Sequence, residues 1–417
     1  MLDAHTGEQW PLEASPGHDV SPLWSPDGRE LVFVSDRNRS LSAWAVAMEH
    51  GRPQGAPRLV KDDLGRVRPR GFTDAGALHV DLTSGHPEVY VSRLDAPAAA
   101  AAPLSPRLAF GNFYPVWSKD GRWLAYTSER NDRADRELWL FDTADGGESR
   151  VVTEELLGRP LDWSPDGMKL LVSGANNPRL LIVDRATGSA SLVAGCVPRA
   201  RWLPEGIACE GQQQVMLRNG LTGGVVRVFD FSDAGVASFR LAHDGRSVIA
   251  GHDTGRVVLH DVRTGATREW HDPGVTWFDR HALAPHTTAV AYLANRGDPD
   301  GDVRTLMLWS GAGDARELLR VRQPEAVAFE GWTADGASLL VTLWTAPAGD
   351  GAPAGAGAPI QRTLWRVPTT GAAPSSTGLV MEGLRDTALH PDGRQIAFNA
   401  GWKTYESWVL EGVIRRP

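Results

Sequence analysis

Six histidines crowd into one stretch of the chain, at His243, His252, His260, His271, His281 and His286. Imidazole suits divalent transition metals, and three such side chains on converging loops would make a metal site able to activate water. His243 and His286 fall at turn positions, and His260 follows a strand-like run whose side chains alternate in and out. That leaves His252, His271 and His281 as the residues to hold a metal, set against the plainer reading that they are surface or hydrogen-bonded histidines. Asp298-Pro299-Asp300-Gly301-Asp302 has the alternating carboxylates of a calcium loop, but Val303 stands where glycine is needed and Trp309 occupies the twelfth place, where glutamate would ligate. It reads as a polar hairpin tip. A Gly-x-Ser-x-Gly nucleophile elbow, a Gly-x-x-x-x-Gly-Lys phosphate loop and a His-Glu-x-x-His helix are all missing from the sequence. No catalytic residue and no cofactor is therefore assigned.

Any chemistry would have to be built on loops, and the elements carrying those loops are set by one repeated corner. Trp163-Ser164-Pro165-Asp166-Gly167 precedes the apolar run Leu170-Leu171-Val172. Proline presets φ for a tight turn, aspartate bonds its own backbone, and glycine accepts the left-handed conformation that closes it. The corner recurs at Trp24 to Gly28 and Trp117 to Gly121, and in looser form at Phe72 to Gly76, Leu241 to Gly245, Trp332 to Gly336 and Leu389 to Gly393. Weaker copies stand at Trp202 to Gly206 and Leu283 to His286. Asp27, Asp74, Asp120 and Asp166 follow one another at intervals of 47, 46 and 46 residues. Such a period, with about four strand-like runs in each, is the mark of propeller blades.

The expected fold is all-β: a single closed β-propeller over residues 1–417, built of four-stranded antiparallel blades. Nine repeats are counted, and because two are weak, eight blades are an alternative. The last repeat stops after Ser407-Trp408-Val409-Leu410, while Glu8-Gln9-Trp10-Pro11-Leu12 look like the end of a blade that has no beginning. Pairing of these N- and C-terminal strands is expected to close the ring and remove its open edges. Trp24, Trp117, Trp163, Trp202 and Trp332 share one repeat position and are expected to pack between blades. Trp44 and Trp402 are less constrained and stand as surface residues suited to stacking. Glu129 to Glu137, the Ala/Pro tract 96–103 and the Gly/Ala/Pro insertion 346–359 read as surface loops.

A net charge of −8 leaves no broad basic surface, so nucleic acid is an unexpected partner. The chain, 42% hydrophobic with 16 Trp, has ample core material but no run of about 18 apolar residues to span a membrane. Its start, Met1-Leu2-Asp3-Ala4-His5, lacks the basic and apolar segments of a secretory signal, so a cytoplasmic protein is expected of the sequence as written. A periplasmic protein, or a piece attached to an upstream domain, would look the same once shortened. Cys196 and Cys209 read as buried reduced thiols, although their closeness would let them pair within one blade.

The Trp-Ser-Pro-Asp-Gly corners, with following runs such as Leu124-Ala125-Tyr126-Thr127-Ser128, resemble the TolB-like propeller family. Related repeats occur in tricorn-like proteins and in the amino-terminal propellers of prolyl-oligopeptidase-type enzymes. The closing segment from Glu382 to Glu411 is similar to the carboxyl end of bacterial multi-domain proteins that carry such a propeller behind a kinase or regulatory domain. The resemblance implies a platform for binding or a sensor module. The expected function is thus a non-catalytic scaffold or sensor module, a monomer that holds a protein or small ligand at the mouth of its central channel. The rival is a metal-dependent lyase or hydrolase on a propeller scaffold.

Overall fold

A computed structural model describes residues 7, 19–35, 37–38, 41–62, 64, 66–85, 87–95, 101–104, 111–129, 136–153, 157–175, 179–220, 223–232, 235–242, 244–297, 303–345, 360–402 and 404–414. The described residues form nine antiparallel sheets and no helix; eight of the sheets have four strands and one has three. The chain divides into two compact units. Residues 1–86, 351–357 and 403–417 make the smaller, and 87–350 with 358–402 the larger.

The corner that organises the sequence is built alike in four places. The hydroxyl of its second residue donates to the aspartate, from Ser25 to Asp27 at 2.7 Å, Ser118 to Asp120 at 2.5 Å, Ser164 to Asp166 at 2.6 Å and Thr333 to Asp335 at 2.6 Å. The same hydroxyl accepts the amide of the first residue of the next strand, as Lys169 N to Ser164 Oγ at 2.8 Å shows, and the aspartate accepts the amide of Met168 at 3.0 Å. These bonds, the hydroxyl's foremost, hold the four aspartates below the usual carboxylate range. Gly167, at φ +67°, takes the left-handed conformation that the turn requires.

Seven four-stranded sheets make the larger unit. Each begins with the strand that enters a corner, here the corner strand: Asn112–Trp117, Leu157–Trp163, Ala200–Leu203, Val236–Leu241, Val275–Leu283, Glu325–Trp332 and Arg385–Leu389. Each sheet packs on the next through its corner strand, and the last packs on the first, so the circuit is complete within this unit. The unit is a propeller. Burial follows strand rank. Second strands such as Lys169–Gly174 hold Leu170, Leu171 and Val172 wholly buried between neighbouring sheets, third strands alternate, and fourth strands such as Ala190–Leu192 are largely exposed.

At three corners of the larger unit tryptophan ties its blade to the one before. The indole N–H of Trp163 donates to Val116 O at 3.0 Å, that of Trp332 to Ala282 O at 3.1 Å, and that of Trp117 to Ala388 O at 3.2 Å. The last of these crosses the seam between the first and last sheets. Trp202 is buried like these three, whereas Trp24, in the smaller unit, is 45% exposed. Its strand, Asp19–Trp24, is the first described strand of the chain, so no earlier corner strand among the described residues offers its indole a carbonyl.

The last strands of the chain pair with strands from its first quarter. Gln395–Ala400 pairs with Glu88–Arg93 to complete the seventh sheet of the larger unit, with Ala397 opposite Val91 and Asn399 opposite Val89. Thr404–Leu410 pairs with Leu78–Ser84 in the smaller unit. The C-terminal strands thus take partners from residues 78–93, whose alternating apolar side chains match them in register. Glu8 to Leu12, the expected partner, lie outside the described residues. The smaller unit also holds the sheet Asp19–Trp24, Glu30–Ser35, Ser42–Glu49 and Arg52–Lys61, packed around Val32, Val34, Ala45, Val67 and Val80.

The expectation of reduced thiols is corrected: Cys196 and Cys209 form a disulfide, their Cα atoms 5.7 Å apart, within the normal range for a bridge. Cys209 lies on Gly206–Gly211 and Cys196 just ahead of Ala200–Leu203, so the hairpin pairing of Ala200 with Cys209 brings them together. A bridge across a sequence separation of 13 stabilises by about 3 kcal/mol through the unfolded chain. Thiol titration in denaturant should therefore find no free thiol before reduction and two after it, and Cys209→Ser should lower the unfolding free energy by about that amount. Two thiols in protein never exposed to reductant would contradict the assignment.

Candidate functional site

The corner strands of the larger unit line its middle, and several carry arginine shortly before the corner: Arg159, Arg201, Arg240, Arg280 and Arg385. The first four recur about every 40 residues, the period of the repeat. Two cavities meet this set. One, of about 390 Å³, is bordered by the corner ends of the strands, with Tyr114, Asp162, Asp244 and Asp386 on its wall. The other, of about 440 Å³, is bordered by earlier positions, among them Arg199, Glu210, Arg240, Trp277 and Asp279. Arg159, Arg201 and Arg280 belong to both.

Carboxylates between the sheets fix this wall. Asp162, 5% exposed, accepts Lys119 Nζ at 2.6 Å and the amides of Trp163 and Trp202 at 2.9 and 2.8 Å, joining three consecutive corner regions. Glu210 binds Arg199 at 3.2 Å and accepts the amide of Leu241 from the next sheet at 2.9 Å. Glu330 lies 3.4 Å from Arg280 and accepts the hydroxyls of Thr342, at 2.8 Å, and of Thr387. Burial pushes the Asp244 and Asp386 carboxyls up, with Arg246 and Arg385 respectively opposing it. Burial also lowers Arg201, which Asp162 opposes while Arg280 and Arg159 add to it.

The histidines singled out from sequence are spread apart. His281 faces inward on Val275–Leu283, 1% exposed, with Nε2 3.3 Å from Ser247 Oγ. Ser247 begins the strand Ser247–His252 and His252 ends it, about 16 Å away at the rise of a β-strand. His271 ends Thr267–His271, separated from His252's strand by Arg256–Asp261, and is exposed. His260 packs edge-on against Phe229 and Phe231, and His286 Nε2 is 2.9 Å from Ala334 O. Among the described residues no three His, Cys, Asp or Glu side chains are grouped so as to hold a metal. His243 and Asp298 to Asp302 lie outside the described residues, as do 96–100, 130–135 and 346–359. Trp44 and Trp402 are both half-buried, Trp44 beneath the Arg37 guanidinium at 5.0 Å.

The arginine series was not singled out from the sequence. Its signal is faint: the arginines stand one to four residues ahead of their corners, at no single repeat position, and are scattered among other arginines.

No family model matches the chain. Over 61 residues it is 46% identical to the uncharacterized peptidase YuxL of Bacillus subtilis, a match covering 14% of this chain and 9% of that protein. The chain thus meets only a small part of that relative's length. Similar solved structures include a putative TolB from Agrobacterium tumefaciens, at 13% identity and TM-score 0.43 over 78% of this chain and 99% of that one. Another is a chain of a mitotic checkpoint complex, at 16% identity and TM-score 0.44 over 75% and 97%. The propeller assignment rests on the sheets and seam described above.

Burial draws the His281 pKa down to about 3. The unfolded chain, with histidine near 6.5, binds a proton that the folded chain refuses, so His281 costs stability as pH falls from about 6.5 towards 3, at up to about 1.4 kcal/mol per pH unit. Urea unfolding at pH 7 and pH 5 should show this slope in the wild type and a shallower one in His281→Gln. Equal slopes would contradict a neutral, buried His281.

Proposed function

We propose that this chain is a non-catalytic binding module that takes a protein segment or small ligand into the centre of its larger unit. The observation that carries this reading is the convergence of Arg159, Arg201 and Arg280, from three different sheets, on the wall shared by two cavities. Arginine presents a rigid fork of donors suited to recognition, and a rigid scaffold of packed sheets holds such forks in place. A closed ring of sheets with functional groups at its centre is a common platform for binding.

The rival reading, a metal-dependent lyase or hydrolase using His252, His271 and His281, would need those residues to converge. His281 lies in a different sheet from His252 and His271 and beside Ser247, at the far end of the strand from His252, which speaks against it. The short match to a peptidase supports a different association: the propeller of a longer hydrolytic protein, where the ring would bind or admit substrate while catalysis lies elsewhere.

A pull-down from the native host with the wild type and an Arg201→Gln/Arg280→Gln variant tests the proposal. The expected result is a bound species retained by the wild type and reduced at least tenfold by the variant, with unfolding temperature checked on both. Undiminished retention would refute the central site. Turnover of peptide or ester substrates by the purified chain, lost on chelation, would favour the rival.

A further inference from the structure

The two cavities share three arginines but differ in charge. In the cavity of about 390 Å³, Asp244 and Asp386 face the shared guanidinium groups, so cation and anion are both present on its wall. In the cavity of about 440 Å³, five arginines line the wall with only two carboxylates, Glu210 and Asp279. Both carboxylates are already engaged, Glu210 by Arg199 at 3.2 Å and by the Leu241 amide, Asp279 by Arg304 at 3.5 Å. Arg159 and Arg240 have no carboxylate within ion-pair distance among the described residues. Arg240 spends one donor on the Phe239 carbonyl at 3.1 Å, and Arg159 stands over the Tyr114 ring at 6.0 Å. Trp277, 38% exposed, borders the same cavity.

This is a local excess of positive charge in a chain whose net charge is −8. Like charges gathered in a recess focus the field and raise the local concentration of anions, and an unpaired guanidinium gains most from a carboxylate or phosphate that it can grip with two parallel bonds. A recess of this volume matches those that hold small ligands, and an aromatic face at its border suits a planar or apolar body attached to the acid group.

Resting on the reading of the centre as a binding site, we propose that the cavity lined by Arg159, Arg240 and Trp277 binds a small organic anion whose carboxylate or phosphate is held by the two arginines. The cavity balanced by Asp244 and Asp386 is not the anion site.

Isothermal titration at low salt with citrate, inorganic phosphate and a tetraglutamate peptide tests this on the wild type, Arg159→Gln, Arg240→Gln, Arg240→Lys and the control Arg256→Gln, whose partner Glu269 lies outside the cavity. Citrate or phosphate should bind the wild type, and the ratio of their affinities separates a carboxylate from a phosphate ligand. Each glutamine variant should weaken binding at least tenfold, Arg240→Lys should weaken it less, and the control should match the wild type. Raising salt to about 0.5 M should weaken binding further. No binding of either anion, or binding equal in all variants, would overturn the proposal. Binding of the peptide alone would overturn it in favour of a partner polypeptide. Loss of host-species retention in Arg201→Gln/Arg280→Gln with no anion binding would leave the central binding site standing and remove this inference alone.

Discussion

The indole bond from one blade to the backbone of the previous blade is the constraint on which the larger unit depends. A sheet with both faces apolar must be covered on both sides, and a ring of sheets achieves this only if every sheet lies at a fixed angle to the next. Trp163, Trp332 and Trp117 each fill the space between sheets and spend their one polar atom on a carbonyl of the preceding corner strand. That pairing satisfies two buried groups at once and fixes the relation between neighbouring corner strands. At the seam, His390 adds a second tie: its ring lies edge-on to Trp117 at 4.8 Å, and its Nε2 is 3.1 Å from Gly121 O.

The same constraint places the candidate site. Because corner strands are held side by side, residues of different corner strands are carried to one central space although they lie tens of residues apart in sequence. Arg159, Arg201 and Arg280 are brought together this way, while Asp162, Glu210 and Glu330 bind across sheet boundaries and hold the wall around them. Architecture and site are therefore linked through the ring of corner strands.

Much of the fold was legible because the corner is encoded locally. Ser164, Asp166 and Gly167 fix their turn through contacts within five residues, so the sequence pattern and the geometry are nearly the same statement. Pairings made at long range were less legible. Nothing local marks Leu78–Ser84 and Glu88–Arg93 as partners for the last repeat, since alternation of apolar residues is common to many strands. The disulfide was misjudged because spacing alone does not reveal that Ala200 and Cys209 are opposite one another in a hairpin. Among site residues, the histidines attracted notice by residue type, but type carries no direction, and His252 and His281 belong at opposite ends of the strand that begins at Ser247. The arginines were hidden by their frequency.

Native-state hydrogen exchange on Trp117→Phe, with Trp24→Phe as reference, is the most direct measure of whether the indole tie closes the ring. Losing the Trp117 donor at the seam should cost about 1–3 kcal/mol and reduce amide protection in both Asn112–Trp117 and Arg385–Leu389, while Trp24→Phe leaves both strands unchanged. Protection unchanged in Arg385–Leu389 when Trp117 loses its donor would contradict the account.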